Sequence, residues 1–252
     1  MKVYSVINQK GGVAKSTTTY NLAKKISEKG YKVLMVDMDP QASLTISTGI
    51  EPEELELTIT DVMISFNGKR KADIANTIIA IEDNLHLVPS IIDLSAADNL
   101  LHNEMSRETI LKRALKKIKN NYDFCFIDCP PNLNQLTINA LVASDYCIIP
   151  TACEYLAIRG LGLLKNTIEQ VQENLNPELK VLGILATFHN RTNHAKESLE
   201  KMKEYYEVIG IIGTTVKAKD AIYTGRPITD YAPKSPISIA YSKAAERIVK
   251  YE

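Results

Sequence analysis

The residues with the most chemical content stand near the front of the chain: Asn8-Gln9-Lys10-Gly11-Gly12-Val13-Ala14-Lys15-Ser16-Thr17-Thr18-Thr19. Two adjacent glycines let a backbone fold closely around an anion with its N–H groups turned inward. A lysine and a hydroxyl directly after such a loop supply the rest of a polyphosphate site. Lys15 can reach the β- and γ-phosphates, and Ser16 can ligate Mg²⁺. A loop of this kind has to be held between a strand and the start of a helix, whose free N–H groups and dipole add positive potential. An apolar run over residues 3–7 precedes it, and a helical pattern over 20–28 follows it. Lys10, Gly11, Gly12, Val13, Ala14, Lys15, Ser16 and Thr17 therefore read as a nucleoside triphosphate site.

The spacing departs from the plain phosphate loop in two places. Ala14 replaces the glycine that usually precedes the lysine, and an additional Lys10 stands directly before the glycines. If position 14 needs a positive φ, alanine there costs about 1 kcal/mol or more; if it is already helical, the cost is near zero. Nucleotide binding is expected to survive either way. Lys10, taken by itself, reads as a solvated loop lysine.

Two carboxylate stretches follow. Residues 33–37 form an apolar run ending at Asp37, and Asp39-Pro40-Gln41 comes next. A carboxylate at a strand tip beside a triphosphate can hold Mg²⁺ through water or orient the attacking water, although an Asp-Pro turn has the same appearance. The run Phe124-Cys125-Phe126-Ile127 ends in Asp128, followed by Cys129-Pro130-Pro131. That is a buried strand delivering a carboxylate to a magnesium water, with paired prolines that stop the strand and stiffen the loop.

With these three stretches in this order, the sequence resembles the ParA/MinD ATPases. Lys-Gly-Gly-x-x-Lys-Ser is similar to their deviant Walker A box, and Asp37-Met38-Asp39-Pro40-Gln41 and Asp128-Cys129-Pro130-Pro131 fall in the expected places. Residues 132–141 resemble the second switch region of the ParA/Soj branch, the DNA-partition ATPases. The resemblance implies ATP/ADP and Mg²⁺ as cofactors, with Lys10, Lys15 and Asp39 catalytic and Ser16, Asp39 and Asp128 around the metal. Asp37 takes a supporting role. It also implies a homodimer in which two subunits sandwich two ATP molecules and Lys10 crosses to the neighbour's nucleotide. A ParB-type centromere-binding partner would stimulate hydrolysis and release non-specific DNA. The stretch from Glu154 resembles a ParA helix near the dimer face, whereas Arg159 reads as a surface arginine.

DNA contacts are implied in two later segments. Arg191, in Thr187-Phe188-His189-Asn190-Arg191-Thr192, matches a family arginine of the non-specific DNA surface. Residues 214–252 carry seven Lys/Arg against four Asp/Glu, with Lys217, Lys219 and Arg226 in the first part. Lys217 falls at a second family DNA position, where arginine is more usual. Contacts of this type need charge rather than base-edge geometry, so they are salt-sensitive and weakly selective. An ordinary solvated basic face gives the same pattern.

Composition restricts the alternatives. The chain has 252 residues with 30 Lys/Arg against 30 Asp/Glu, so no global field draws it to nucleic acid or an anionic membrane. DNA binding would need local patches, assembled by dimerisation. No apolar run is long enough to span a bilayer. The chain as given enters its first strand at once, which leads us to expect no signal peptide and a cytoplasmic protein, nucleoid-associated in its ATP state. Cys125, Cys129, Cys147 and Cys153 sit in or beside apolar runs and read as buried, reduced thiols. Strands are expected near 2–7, 32–37, 85–88, 123–127, 146–150, 180–187 and 209–213. Helices are expected near 16–29, 93–101, 107–119, 133–143, 156–174, 195–205 and 239–250. That alternation predicts one α/β domain over 1–252, a doubly wound and mostly parallel sheet with helices on both faces. Residues 51–71 look like a polar surface excursion. Near the end, Tyr241, Ala244, Ala245 and Ile248 form a narrow stripe that fits packing on the body better than insertion into lipid. A MinD-like membrane-positioning ATPase and a nucleotide-binding scaffold without turnover are the two other readings.

Overall fold

The computed structural model describes residues 1–64, 71–190 and 192–251. Its centre is a sheet of eight strands: β1 Lys2–Val6, β2 Val33–Asp37, β3 Ile79–Glu82, β4 Leu85–Val88, β5 Phe124–Asp128, β6 Tyr146–Ala152, β7 Lys180–His189 and β8 Val208–Gly213. Their order across the sheet is β3-β4-β2-β5-β1-β6-β7-β8. Every neighbouring pair is parallel except β3 with β4. The helices are α1 Lys15–Ser27, α2 Ser43–Ser47, α3 Ile59–Met63, α4 Ala97–Leu100, α5 Ile110–Ile118, α6 Gln135–Ala143, α7 Tyr155–Asn174, α8 Asn193–Lys203, α9 Lys217–Tyr223, α10 Ile228–Tyr231 and α11 Pro236–Lys250.

The doubly wound arrangement follows from the strand sequences. β2 and β5 are buried at every residue, as parallel strands covered on both faces must be. Side chains alternate between two cores. Leu34, Val36, Cys125 and Ile127 pack under α3, α5, α6, α7 and α8. Val33, Met35, Phe124 and Phe126 pack under α1, α10 and α11. β1 lies between β5 and β6, where the chain turns from building one half of the sheet to the other. In open parallel sheets the crevice at such a reversal, beyond the strand C-termini, is where ligands bind. The loop carrying Lys10 to Ala14 leaves β1 at that place.

Several elements correct the expectation. β3 is absent from it: its apolar stretch is short, and as an edge strand it alternates half-buried and exposed residues. Residues 51–71 are not wholly a surface excursion. Thr58 and Asp61 close a capping box on α3, which sends Ile59, Val62 and Met63 into the core. Residues 65–70 of that stretch lie outside the described residues. Instead of one helix over 93–101, a 3₁₀ turn at Ile92–Ala96 leads into the four residues of α4. α9 and α10 occupy a segment in which the sequence pattern predicts neither strand nor helix. In α11, Tyr241, Ala244, Ala245 and Ile248 are all buried on the body, as their narrow stripe suggested. Among the described residues no helix is long and apolar enough to cross a membrane.

Candidate functional site: a phosphate loop facing two carboxylates

The loop after β1 is held from both sides. Asn8 Nδ2 donates to Pro150 O at 2.8 Å and to Thr151 Oγ1 at 3.3 Å, while its Oδ1 accepts from Lys10 N at 3.0 Å. Gln9 Nε2 donates to Gly160 O at 2.9 Å. Glycine in α7 leaves room for that contact, since a Cβ at position 160 would sit 2.6 Å from Gln9 Nε2 and displace it. Thr187 Oγ1 donates to Val13 O at 3.1 Å. The Val13 side chain turns underneath and packs with Ala152 and Ala157, so Val13 offers only its backbone to the outer side.

Gly11, Gly12, Ala14, Lys15, Ser16, Thr17 and Asp39 line an open cleft of about 320 Å³. Its remaining walls come from Ser43, Ile46 and Ser47 of α2, Pro131, and Ile222 of α9. Lys15 is 7% exposed, and its ammonium lies over the loop, 3.4 Å from Lys10 O. Burial lowers its pKa, opposed by attraction to Asp128 and Asp39. A buried cation with two carboxylates nearby and little hydrogen bonding is prepared for a larger anionic partner.

The carboxylates divide the work by position. Asp37 and Asp128 are register partners at the ends of β2 and β5, both fully buried. Asp37 Oδ2 accepts from Thr45 N at 2.9 Å and Thr45 Oγ1 at 2.8 Å, and its Oδ1 accepts from Asp39 N at 3.1 Å. Burial raises its pKa to about 7 despite those donors. Asp37 thus holds Asp39 and α2 in place. Asp39 is 8% exposed on the cleft wall and steadied by Gln41 N at 3.0 Å.

Asp128 meets the loop directly. It hydrogen-bonds the Ser16 hydroxyl, and Thr19 Oγ1 lies 3.4 Å from its Oδ1. Its Oδ2 is buried with no hydrogen-bond partner among the described residues. Burial, then the nearby Asp37 charge, raise its pKa well above the usual carboxylate range. An orphaned carboxylate oxygen next to a serine hydroxyl fits a hydrated divalent cation, which would satisfy the oxygen and offset the crowding of charge. Among the described residues no group of three or more His, Cys, Asp or Glu forms a metal cage. Mg²⁺ needs none, since it takes one or two carboxylates, waters and phosphate oxygens. The four cysteines are buried and unpaired.

Comparison with known proteins gives the same reading. Residues 1–181 match the family described as AAA domain. The sporulation initiation inhibitor protein Soj of Bacillus subtilis is 40% identical over 252 residues, covering 98% of this chain and 98% of Soj. The chain belongs to the ParA/Soj family. Two solved structures resemble this ParA-type chain closely. The cobyrinic acid a,c-diamide synthase of Mycobacterium smegmatis, with bound ADP and magnesium, is 35% identical with a TM-score of 0.85, covering 100% of this chain and 95% of its own. A plasmid partition protein from Borrelia burgdorferi is 29% identical with a TM-score of 0.77, covering 100% and 99%.

The site residues expected from the sequence are not all gathered at the cleft. Lys10 is off its wall; its Nζ pairs with Glu154 Oε2 of the same chain at 2.7 Å, at the start of α7. Lys217 and Lys219 are on α9, Lys217 exposed, and Arg226 follows the helix with its guanidinium 3.5 Å from Asp230 O. Lys219 borders a second, apolar cavity of about 280 Å³ that shares Gly12, Ala14, Thr17 and Ile222 with the cleft. Arg191 lies outside the described residues. Arg159 is exposed, as expected for a surface position. Sequence reasoning missed Asn8, Gln9, Thr19 and Glu154 as parts of the site. Only Thr19 had a signal, being three residues after Ser16 and so on the same helix face.

The question at Ala14 is also decided. Its φ is 70° and ψ 38°, the left-handed region, at the N-cap of α1. Alanine is strained there by about 1–2 kcal/mol, part of which glycine would return as unfolded-state entropy. Ala14→Gly is therefore expected to stabilise the protein by about 0.5–1 kcal/mol, a rise of about 1–4 °C in thermal midpoint. Nucleotide affinity, read by isothermal titration, should stay within about twofold because the loop N–H groups keep their places. A lower midpoint would show that the methyl group makes favourable contacts; a large gain in affinity would show that the native loop binds nucleotide poorly.

Proposed function

We propose that this chain is a DNA-partition ATPase whose ATP-loaded homodimer binds DNA without sequence preference and lets go on hydrolysis. The observation that carries the reading is the convergence of Lys15, Ser16 and Asp39 on one cleft, with Asp128 bonded to Ser16 behind it and α9, the helix that exposes Lys217, in its wall. The apolar cavity beside the cleft suits a base, with Thr187 and Thr215 on its border. ATP/ADP would lie along Lys10 to Thr17, and Mg²⁺ between Ser16 and Asp128. Held by Ser16 and Asp128, Mg²⁺ would supply positive charge that offsets the charge developing on the phosphates. Lys15 neutralises the phosphates, Asp39 orients the attacking water, and the loop N–H groups hold the anion in place.

Dimerisation is supported by the surface around Lys10. Tyr155, Leu156 and Leu163 of α7 are exposed apolar side chains on the helix that Glu154 precedes. Closure of two subunits there would bury them and carry Lys10 to the neighbour's phosphates. Arg191, Lys217, Lys219 and Arg226 form the proposed DNA contacts, and a ParB-type partner the proposed stimulus to hydrolysis. α11 is packed on the body, which gives no observation in favour of a MinD-like membrane helix.

The test is binding to a random-sequence DNA duplex and to anionic liposomes, each with ADP and with a slowly hydrolysed ATP analogue. Binding to the duplex with the analogue alone is expected, and it should weaken steeply with salt. Lys217→Ala should flatten the slope of log K against log salt by about 1 for each phosphate that Lys217 neutralises. Binding to liposomes in place of DNA would overturn the partition reading in favour of a membrane-positioning ATPase.

A further inference from the structure

α2 and α9 face each other across the cleft. Ile46 of α2 is 47% exposed and Ile222 of α9 is 40% exposed, and both line the cleft wall. α2 begins four residues after Asp39, while α9 carries Lys217 and Lys219. Just beyond each helix stands a glycine in the left-handed region, Gly49 at φ 82° and Gly225 at φ 67°. The two touch backbone to backbone. A Cβ on Gly225 would come 3.0 Å from Gly49 Cα and 3.2 Å from Gly49 N. Neither atom can rotate aside as a side chain could. The converse differs, because a Cβ on Gly49 would sit 3.7 Å from Gly225 Cα, an ordinary contact.

The same turn is tied to the phosphate-loop helix. Tyr20 OH of α1 donates to Gly225 O at 3.4 Å, and Asn21 Oδ1 accepts from Thr229 N at 3.0 Å. Lys24 Nζ reaches Asp230 Oδ2 at 3.2 Å. The turn after α9, together with α10, therefore rests on α1, which begins at Lys15, while α9 itself meets α2, which follows Asp39. A nucleotide that touches Ile46 and Ile222 together favours the state in which α2 and α9 are apposed, and only differential contact of this kind can shift such an equilibrium.

We infer that the Gly49–Gly225 backbone contact is the joint through which the nucleotide cleft sets the pose of the basic helix α9 inside a single subunit, before any second subunit closes. The joint rests on the nucleotide reading of the cleft; the DNA reading concerns only what α9 then does.

The experiment is hydrogen–deuterium exchange over residues 216–226 in the full chain, with and without Mg-ADP. Gel filtration checks that the subunits stay apart. Wild type, Gly49→Ala and Gly225→Ala are compared. Both substitutions carry the same left-handed penalty, but only the second drives a Cβ into backbone. Mg-ADP should slow exchange in wild type and Gly49→Ala by about tenfold, and in Gly225→Ala by less than about threefold, with nucleotide affinity retained. If Gly225→Ala does not fold, Gly225→Asn takes its place, since asparagine tolerates left-handed backbone. Full protection in the position 225 variant, loss in both variants, or no protection in wild type would each overturn the joint. Failure of wild type to bind nucleotide would sink the joint and the cleft reading together. Failure to bind duplex DNA with the analogue, with exchange as expected, would remove the DNA reading and leave the joint standing.

Discussion

Lys10→Ala is expected to lower DNA- and partner-stimulated ATP hydrolysis by about 10³-fold, the low end for a cation supplied in trans to a transferring phosphoryl group. Binding of ATP to the separate subunit should change by less than about threefold, because an interaction made only in the closed pair does not enter that step. The geometry behind this is specific. Lys10 follows Gln9, which is clamped to Gly160, yet its ammonium points away from the cleft to Glu154. Both partners of that ion pair are partly exposed, 33% and 61%, so the pair contributes at most about 1 kcal/mol and yields readily to a phosphate. Gel filtration with the slowly hydrolysed analogue should show a pair for wild type and single subunits for Lys10→Ala. Phosphate release measures the second half. Wild-type turnover by Lys10→Ala would remove the trans role. A large loss of ATP affinity in the single subunit would assign Lys10 to its own site.

Asp39→Ala should separate what Lys10→Ala removes together. Turnover is expected to fall by about 10²–10⁴-fold, the range for losing a group that positions or deprotonates the nucleophile. ATP-dependent pairing and DNA binding should persist, so the variant stays on DNA after wild type has left. The reasoning is positional. Asp39 stands on the open wall, held by Gln41 N and, through its own N–H, by Asp37. Asp128 is fully buried behind Ser16 with its Oδ2 unsatisfied among the described residues, a place suited to metal rather than to water attack. The measurement pairs phosphate release with the lifetime of the DNA complex. Turnover equal to wild type would show that Asp39 does not act on water and would favour a scaffold without hydrolysis. Loss of nucleotide binding would move Asp39 into the metal site.

The chain by itself determined the sheet and the phosphate loop. Continuous apolar runs such as 33–36 and 124–127 can satisfy burial on two faces only as interior parallel strands. Gly11, Gly12, Lys15 and Ser16 are nearly contiguous, so their joint function needs no distant partner to be visible. Asp39 and Asp128 were legible for a related reason, since each ends or closely follows such a run and strand ends collect at one edge of a parallel sheet. Other features depended on residues far apart in sequence meeting in space. No local pattern shows that Gln9 meets Gly160, that Lys10 faces Glu154, or that Gly225 lies on Gly49. β3 and α9 were hidden because an edge strand and a seven-residue helix bury too little to impose a period on their sequences. The left-handed backbone at Ala14 was undecidable from the residue alone, because alanine occurs in both conformations and only the closure of the loop onto α1 chooses between them. Local chemistry is written in the residues that perform it, whereas the contacts that orient it are properties of the folded chain.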